Sequence, residues 1–344
     1  MTLRSIPLLA LAFWALSCSV SPYSASGQAC DLVAAPTGSD AAPGSVAAPL
    51  RTPQRIVDRL RPGQTGCLRG GTYAARSREG YIARFGHGGR KGAPLTLRSY
   101  PGETARLAGV VYVPHGSDRV TISDVTVDDP TPFSRAGQIT VQINAASTVL
   151  ARVQITNGSR KSCIILGAGG AGRARKTVIR DSILRDCGDP ANRMHDHAIY
   201  ASAVTGLRVE NNLIEDAGGW GVHLYPDAQR SRVRRNVFVG NGGGVIFAGE
   251  GSLASSRNLV ERNVIVNSKK APDIDTYWGD RIGRRNLARG NCLGGETGRT
   301  AGLRLRANFG GDVLDAGASV SSSCTRVLGD TVAALASRLS VLAG

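Results

Sequence analysis

The sequence predicts an all-β solenoid, a parallel β-helix, and three observations carry that expectation. First, residues 177–188, 207–218 and 231–242 lie over one another as near-copies, and a fourth copy runs over 258–268. Extended in both directions, this register aligns Asp124, Arg152, Ser182, Asn212, Asn236, Asn263 and Asn291, at spacings of 28, 30, 30, 24, 27 and 28 residues. Second, apolar residues alternate within each unit, as Val233, Val237 and Val239 do among Arg234, Arg235 and Asn236. That is the strand period of two, not the helical period of about 3.6. Third, a second short run follows each unit after an Asn or Asp turn: Ile164 to Leu166, Ile199 to Ala201, Val222 to Leu224, and Val245 to Phe247. Short coils of two or three strands, repeating at this interval and turning at polar residues, stack into a β-helix. A propeller blade needs about 40 residues or more, which is longer than the repeat. Asn at one position of successive coils is expected to form an amide ladder.

The elements follow in chain order. Residues 1–27 give a basic start, an apolar run from Ile6 to Leu16 and small residues to Gly27, the order of a secretory signal peptide. The apolar run is too short for a membrane-spanning helix. Export with cleavage is the expectation; lipid attachment at Cys18 is the lesser alternative, because Ala15 fits the first position of such a signal poorly. Residues 28–80 form an N-terminal cap, 81–295 the coils, and 296–344 a C-terminal cap and tail, for about eight to ten coils in all. In the first cap a short helix starts at Thr52 and Pro53, with Ile56, Val57 and Leu60 on one face to cover the open edge of the first coil. In the last, Asp330 caps a helix that carries Val332, Leu335 and Leu339.

The segment from Cys30 to Tyr73 carries a family resemblance. Gly38, Ser39 and Asp40, then Pro43 and Gly44, precede the short helix, and a strand ends at Gly71, Thr72 and Tyr73. This resembles the opening of secreted right-handed parallel β-helix proteins of the pectate-lyase-like superfamily. The resemblance implies a right-handed coil. It fixes no single activity, because the superfamily includes lyases, hydrolases, epimerases and proteins without known activity.

Cysteine and charge limit the partners. Six cysteines remain after the leader, in spacings unlike the paired motifs of zinc sites, and six allow fifteen pairings. The solenoid favours Cys30 with Cys67 at the first cap, Cys163 with Cys187 on neighbouring coils, and Cys292 with Cys324 at the tail. A net charge of +16 suits an acidic polymer or a solvated Arg-rich exterior. Aromatic residues make up 5%, with no basic run interleaved by them, which argues against nucleic acid. The expectation is a monomer without a membrane span.

Chemistry converges at one place. Of five histidines, His195, His197 and His223 fall together, whereas His87 and His115 stand apart. The separation from Ile164 to Ile199 is 35 residues against 23 for the next two intervals, so this coil carries an inserted loop. If Ile199, Val222 and Val245 point inward, Tyr200, His223 and Ile246 point out, side by side on neighbouring strands. Superfamily enzymes that act on acidic polysaccharides commonly use β-elimination, which needs a base, an acid and a partner for the sugar carboxylate. His197 or His223 is the candidate base, Tyr200 the acid, and Arg193 or Arg230 the carboxylate partner. His195, Asp196, Trp220, Tyr225 and Asp227 flank them as candidate substrate-binding residues.

A metal held by His195, Asp196 and His197 is not expected, because adjacent residues on a strand face opposite sides. Calcium stays open as a cofactor through Asp181, Asp186, Glu215 and Asp216, although Asp186 and Asp216 align with the turn position of Asn241 and Asn267 and Lys161 is the only lysine beside a face strand. The competing class is a non-catalytic carbohydrate-binding or cell-surface solenoid that packs sugar rings on Trp220, Tyr225 and Tyr200.

Overall fold

The computed structural model describes residues 29–76, 79–129, 139–192 and 195–310. The leader with Cys18, Arg193, Cys324 and the helix expected after Asp330 lie outside the described residues. Each coil visits three parallel sheets in turn. The strand Thr65–Leu68 belongs to sheet I, Gly71–Ala74 to sheet II and Tyr81–Arg84 to sheet III, after which the chain returns to sheet I at Leu95–Ser99. Among the described residues, sheet I has eleven strands and sheets II and III ten each. The fold is the expected right-handed parallel β-helix.

Alternation puts one side of every strand inside. Ile179, Val209, Val233 and Val260 from sheet I, Leu184, Ile214, Phe238 and Ile265 from sheet II, and Ile164, Ile199, Val222 and Val245 from sheet III form one continuous core. Stacked coils bury apolar surface without a second layer, at roughly 25 cal/mol per Å² removed from water.

The three corners explain the polar part of the repeat. Between sheets I and II, Asp181, Asn211, Arg235 and Arg262 adopt φ of 54°, 56°, 54° and 54°, which bends the chain sharply. The next residue turns inward. Asn236 Oδ1 accepts from the backbone N–H and Nδ2 of Asn212 at 3.0 and 2.9 Å, and Asn263 and Asn291 repeat the pattern on the following coils. Each Nδ2 also donates to a sheet I carbonyl, so these buried amides are paired on both sides.

Two positions of the sequence alignment are corrected by one residue. Asp124 and Arg152, with φ of 59° and 53°, occupy the corner itself and not the ladder. They pair with each other through the Arg152 guanidinium at 2.6 Å. Similarly, Asp186 and Asp216 share the left-handed corner of Asn267, at 49°, 51° and 55°, whereas Asn241 sits one residue further on and accepts from Ala217 N–H at 2.9 Å. The period of two hides such slips, because a corner residue interrupts the alternation.

The helix Pro53–Arg59 closes the first coil, with Ile56, Val57 and Leu60 buried. Thr52 Oγ1 accepts from Arg55 N–H at 3.1 Å as the N-cap. Asp40 accepts from the N–H groups of Arg51 and Thr52 at 2.9 Å, and from the Thr52 hydroxyl. A side chain at Gly38 would meet Leu50 O at 2.1 Å. The Gly-Ser-Asp motif is thus the socket for the helix start. Disulfides join Cys30 to Cys67 and Cys163 to Cys187, as the sequence predicts. Cys292 is disulfide-bonded too, while the partner expected for it, Cys324, is not among the described residues.

Candidate functional site

The outward row of sheet III collects the residues that break the apolar pattern and were singled out in the sequence. Ile199, Val222 and Val245 are successive Cα partners, and so are Tyr200, His223 and Ile246. Tyr200 and His223 therefore stand side by side with ring centroids 5.4 Å apart. Tyr225 follows His223 on the same strand and stacks on it at 5.0 Å and 25°. Opposite Ser202, between the pairs Ala201 with Leu224 and Ala203 with Asp227, this strand bulges through Tyr225 and Pro226.

His197 is fully buried at the mouth of the Ile199–Thr205 strand. The inserted loop places it: the short 3-10 turn Pro190–Asn192 leads to Asp196, whose carboxylate accepts from Asn192 Nδ2 at 2.9 Å. Backbone bonds then tie His197 to the preceding coil through Ser162 Oγ and Cys163 N–H. Cys187, just before this loop, is disulfide-bonded to Cys163.

The hydrogen bonds of His197 fix two tautomers. The backbone N–H of Trp220 donates to His197 Nδ1 at 3.1 Å, so that nitrogen carries no proton. The proton of neutral His197 is on Nε2, which lies 2.8 Å from His223 Nδ1 and donates to it. His223 consequently carries its own proton on Nε2. Burial, then the neighbouring His197 and His195, hold His223 well below the usual histidine range and keep it neutral. In this arrangement neither imidazole offers a free lone pair to a substrate. His197 is thus bonded at both ring nitrogens, and His223 accepts on Nδ1 and carries its proton on Nε2.

The acids and bases around them sort likewise. Burial raises the Tyr200 hydroxyl above its ordinary range, and the Glu250 carboxylate adds to that effect against a bond with Ser202. Tyr225 is pushed higher still, by burial and by donating to Glu250 at 2.5 Å. Both phenols are held protonated. Glu250 is exposed and was missed in the sequence, although it lies four residues past Ile246 with the same outward parity.

The remaining expected residues divide. His195 is exposed beside the cluster, and burial raises the buried Asp196 carboxyl. Trp220 is 9% exposed and packs with Ile246 and Ala248 in a small cluster apart from the main core, with Tyr225 against it, so little of its ring is open. Asp227 is held by Arg173, which reaches over two coils and also donates to the carbonyls of Val204 and Asp227. Nothing in the sequence marks Arg173, whose partner is 54 residues away. Arg230 sits exposed at the corner leaving sheet III, with φ of 55°, and no described interaction joins it to the histidines.

The acidic side chains considered for calcium do not form a donor set. Asp181 pairs with Arg180 at 2.6 Å, Glu215 with Arg185 at 3.9 Å and Asp216 with Lys269 at 2.7 Å. Among the described residues no group of three or more His, Cys, Asp or Glu is placed to hold a metal. Nor is any described helix long and apolar enough to cross a membrane. Sheet I spreads its charge in alternation: Arg180, Glu210, Arg234, Glu261 and Arg289 are successive partners, with Glu210 bridged to Arg234 at 3.0 Å and Glu261 to Arg289 at 2.8 Å.

Comparison with known proteins agrees with this architecture. A stretch of 81 residues is 40% identical to Pectate lyase PEL9 of Emericella nidulans, and it spans 24% of this chain but only 19% of the fungal protein. Among solved structures, XylC in complex with xylose superposes with a TM-score of 0.62 at 11% identity, over 80% of this chain and 69% of that one. Pectate lyase Pel9A superposes with a TM-score of 0.55 at 15% identity, over 86% and 83%. These two likenesses are likenesses of fold. The family model described as the right-handed beta helix region matches residues 108–291, more than half of the 344, and the chain belongs to that family.

Proposed function

We propose that this protein acts on an acidic polysaccharide at the outward face of sheet III, by β-elimination. The observation that carries the reading is the His197–His223 bond, which holds a neutral imidazole with its Nε2 proton available beside two protonated phenols and one carboxylate. The partial identity to a pectate lyase supports the substrate class, and the disulfides support an oxidising, extracellular setting.

In this mechanism His223 Nε2–H donates to the uronate carboxylate, where negative charge grows as the α-proton leaves. Tyr225 takes that proton on its phenol oxygen while passing its own to Glu250. The C–H electron pair forms the double bond, the glycosidic C–O bond breaks, and Tyr200 protonates the departing oxygen. Solvent then returns a proton to Tyr200 and removes one from Glu250.

The test is ultraviolet absorbance of an unsaturated uronate product on a panel of acidic glycans. A rise on one glycan that is lost in His223→Ala and in Tyr200→Phe supports elimination. No rise, with one glycan still retained by the protein, would leave the binding solenoid, in which Tyr200 and Tyr225, stacked at 6.2 Å and 24°, pack sugar rings without turnover.

A further inference from the structure

The row that holds Tyr200 and His223 continues along the solenoid. Arg84 is the Cα partner of Tyr112, Tyr112 of Gln142, Gln142 of Ile165, and Ile165 of Tyr200. Tyr112 therefore stands three strands from Tyr200 and four from His223, about 14 and 19 Å at the strand spacing of about 4.8 Å.

A second cluster surrounds Tyr112. Its ring stacks on Tyr81 at 5.7 Å and 20°, and the Arg84 guanidinium lies over it 5.7 Å from the centroid. Arg84 is exposed and has no carboxylate partner among the described residues, unlike the bridged arginines of sheet I. Asn144, fully buried, donates through Nδ2 to Tyr112 Oη at 3.3 Å and leaves its Oδ1 without any partner. A stacked aromatic surface and an unneutralised guanidinium match two parts of a uronate, the ring face and the carboxylate.

We infer that Tyr81, Tyr112 and Arg84 form a distal subsite for a uronate residue of the same polysaccharide chain whose reactive unit lies at His223. The inference rests on the function proposed above. The polymer then runs along the solenoid axis, across the strands, because each coil advances by roughly the length of one sugar unit. Arg84 supplies the carboxylate contact that Arg230, turned away at its corner, does not.

The experiment compares Arg84→Ala with wild type on polygalacturonate, by retardation in gels cast with the polymer, and on a galacturonate trimer, by calorimetric titration. The trimer cannot span the four strands. Arg232→Ala removes an exposed charge from sheet I as a control for bulk attraction. Expected is a dissociation constant for the polymer raised roughly tenfold in Arg84→Ala, little change on the trimer, and little change on either ligand in Arg232→Ala. Equal loss on polymer and trimer, equal loss in Arg232→Ala, or retardation of Arg84→Ala like wild type would overturn the subsite alone. A wild-type protein that binds neither polygalacturonate nor alginate would overturn the proposed function and the subsite with it.

Discussion

His197 and His223 share one hydrogen bond, and the proton in it belongs to His197. That follows from Trp220, whose backbone N–H occupies His197 Nδ1 at 3.1 Å and leaves only Nε2 to donate across the 2.8 Å to His223. Nitrogen chemical shifts of the two rings should accordingly report Nε2–H at both residues. The substitution His197→Phe keeps a ring in the cavity but leaves the Trp220 N–H and His223 Nδ1 unpaired. A loss of about 1–3 kcal/mol in chemical denaturation is expected, together with mixed tautomers at His223. A single unchanged tautomer in that variant would show that another group orients His223.

The same pair sets a pH dependence. His223 titrates below its ordinary value of 6.5, first through burial and then through His197 and His195. Just below pH 6.5 the unfolded chain therefore binds a proton that the folded chain refuses. Stability rises with pH wherever the unfolded state binds more protons, so this group removes stability as pH falls through that interval. Asp196, raised by burial, acts in the opposite sense nearer the carboxylate range, and it is common to wild type and variant. The melting temperature of wild type should fall from about pH 7 to about pH 5 more steeply than that of His223→Gln. Parallel curves would mean that His223 charges as readily folded as unfolded.

The amide ladder offers a test of the solenoid itself. Asn236 donates to Val209 O and Asn263 Oδ1 and accepts twice from Asn212. Asn236→Ala strands groups on both neighbouring coils, and a cost of about 3–5 kcal/mol is expected, above the ordinary range for single substitutions. Asn236→Ser should cost less, since Ser182 fills the same slot and its hydroxyl still accepts from Val153 N–H at 3.1 Å. Equal losses in denaturant would assign the ladder's contribution to shape and not to hydrogen bonding.

These residues also mark how much was legible beforehand. Period and alternation locate the coils, the inward Ile199 and Val222, and the outward Tyr200 and His223, because strand geometry forces side chains to alternate. The one-residue error at Asp124 and Arg152 arises where a left-handed corner breaks that rule. The roles at the site were hidden for a different reason. The tautomer of His197 depends on a backbone N–H from the next coil, and no side-chain pattern encodes a backbone donor. Trp220 shows the converse: its place beside the site was evident, but its burial depends on Ile246 and Ala248 from the following strand.

Arg173 carries no mark in the sequence, yet it fixes the bulge at Tyr225. Its guanidinium meets the Asp227 carboxylate, Val204 O, Thr205 Oγ1 and Asp227 O, so one side chain fastens three consecutive coils where the Trp220–Gln229 strand departs from register. Both partners are partly buried, at 26% and 20% side-chain exposure, so solvent weakens the pair without cancelling it. Arg173→Ala should lower stability by about 1–2 kcal/mol and speed amide exchange over 225–229, while exchange in the sheet I strand Arg232–Arg234 stays as in wild type. Arg173→Lys restores the charge but not the forked set of bonds, so its exchange at the bulge should lie between the two. If the bulge in Arg173→Ala exchanges as slowly as in wild type, Tyr225 is positioned by its stack on His223 and not by the strap.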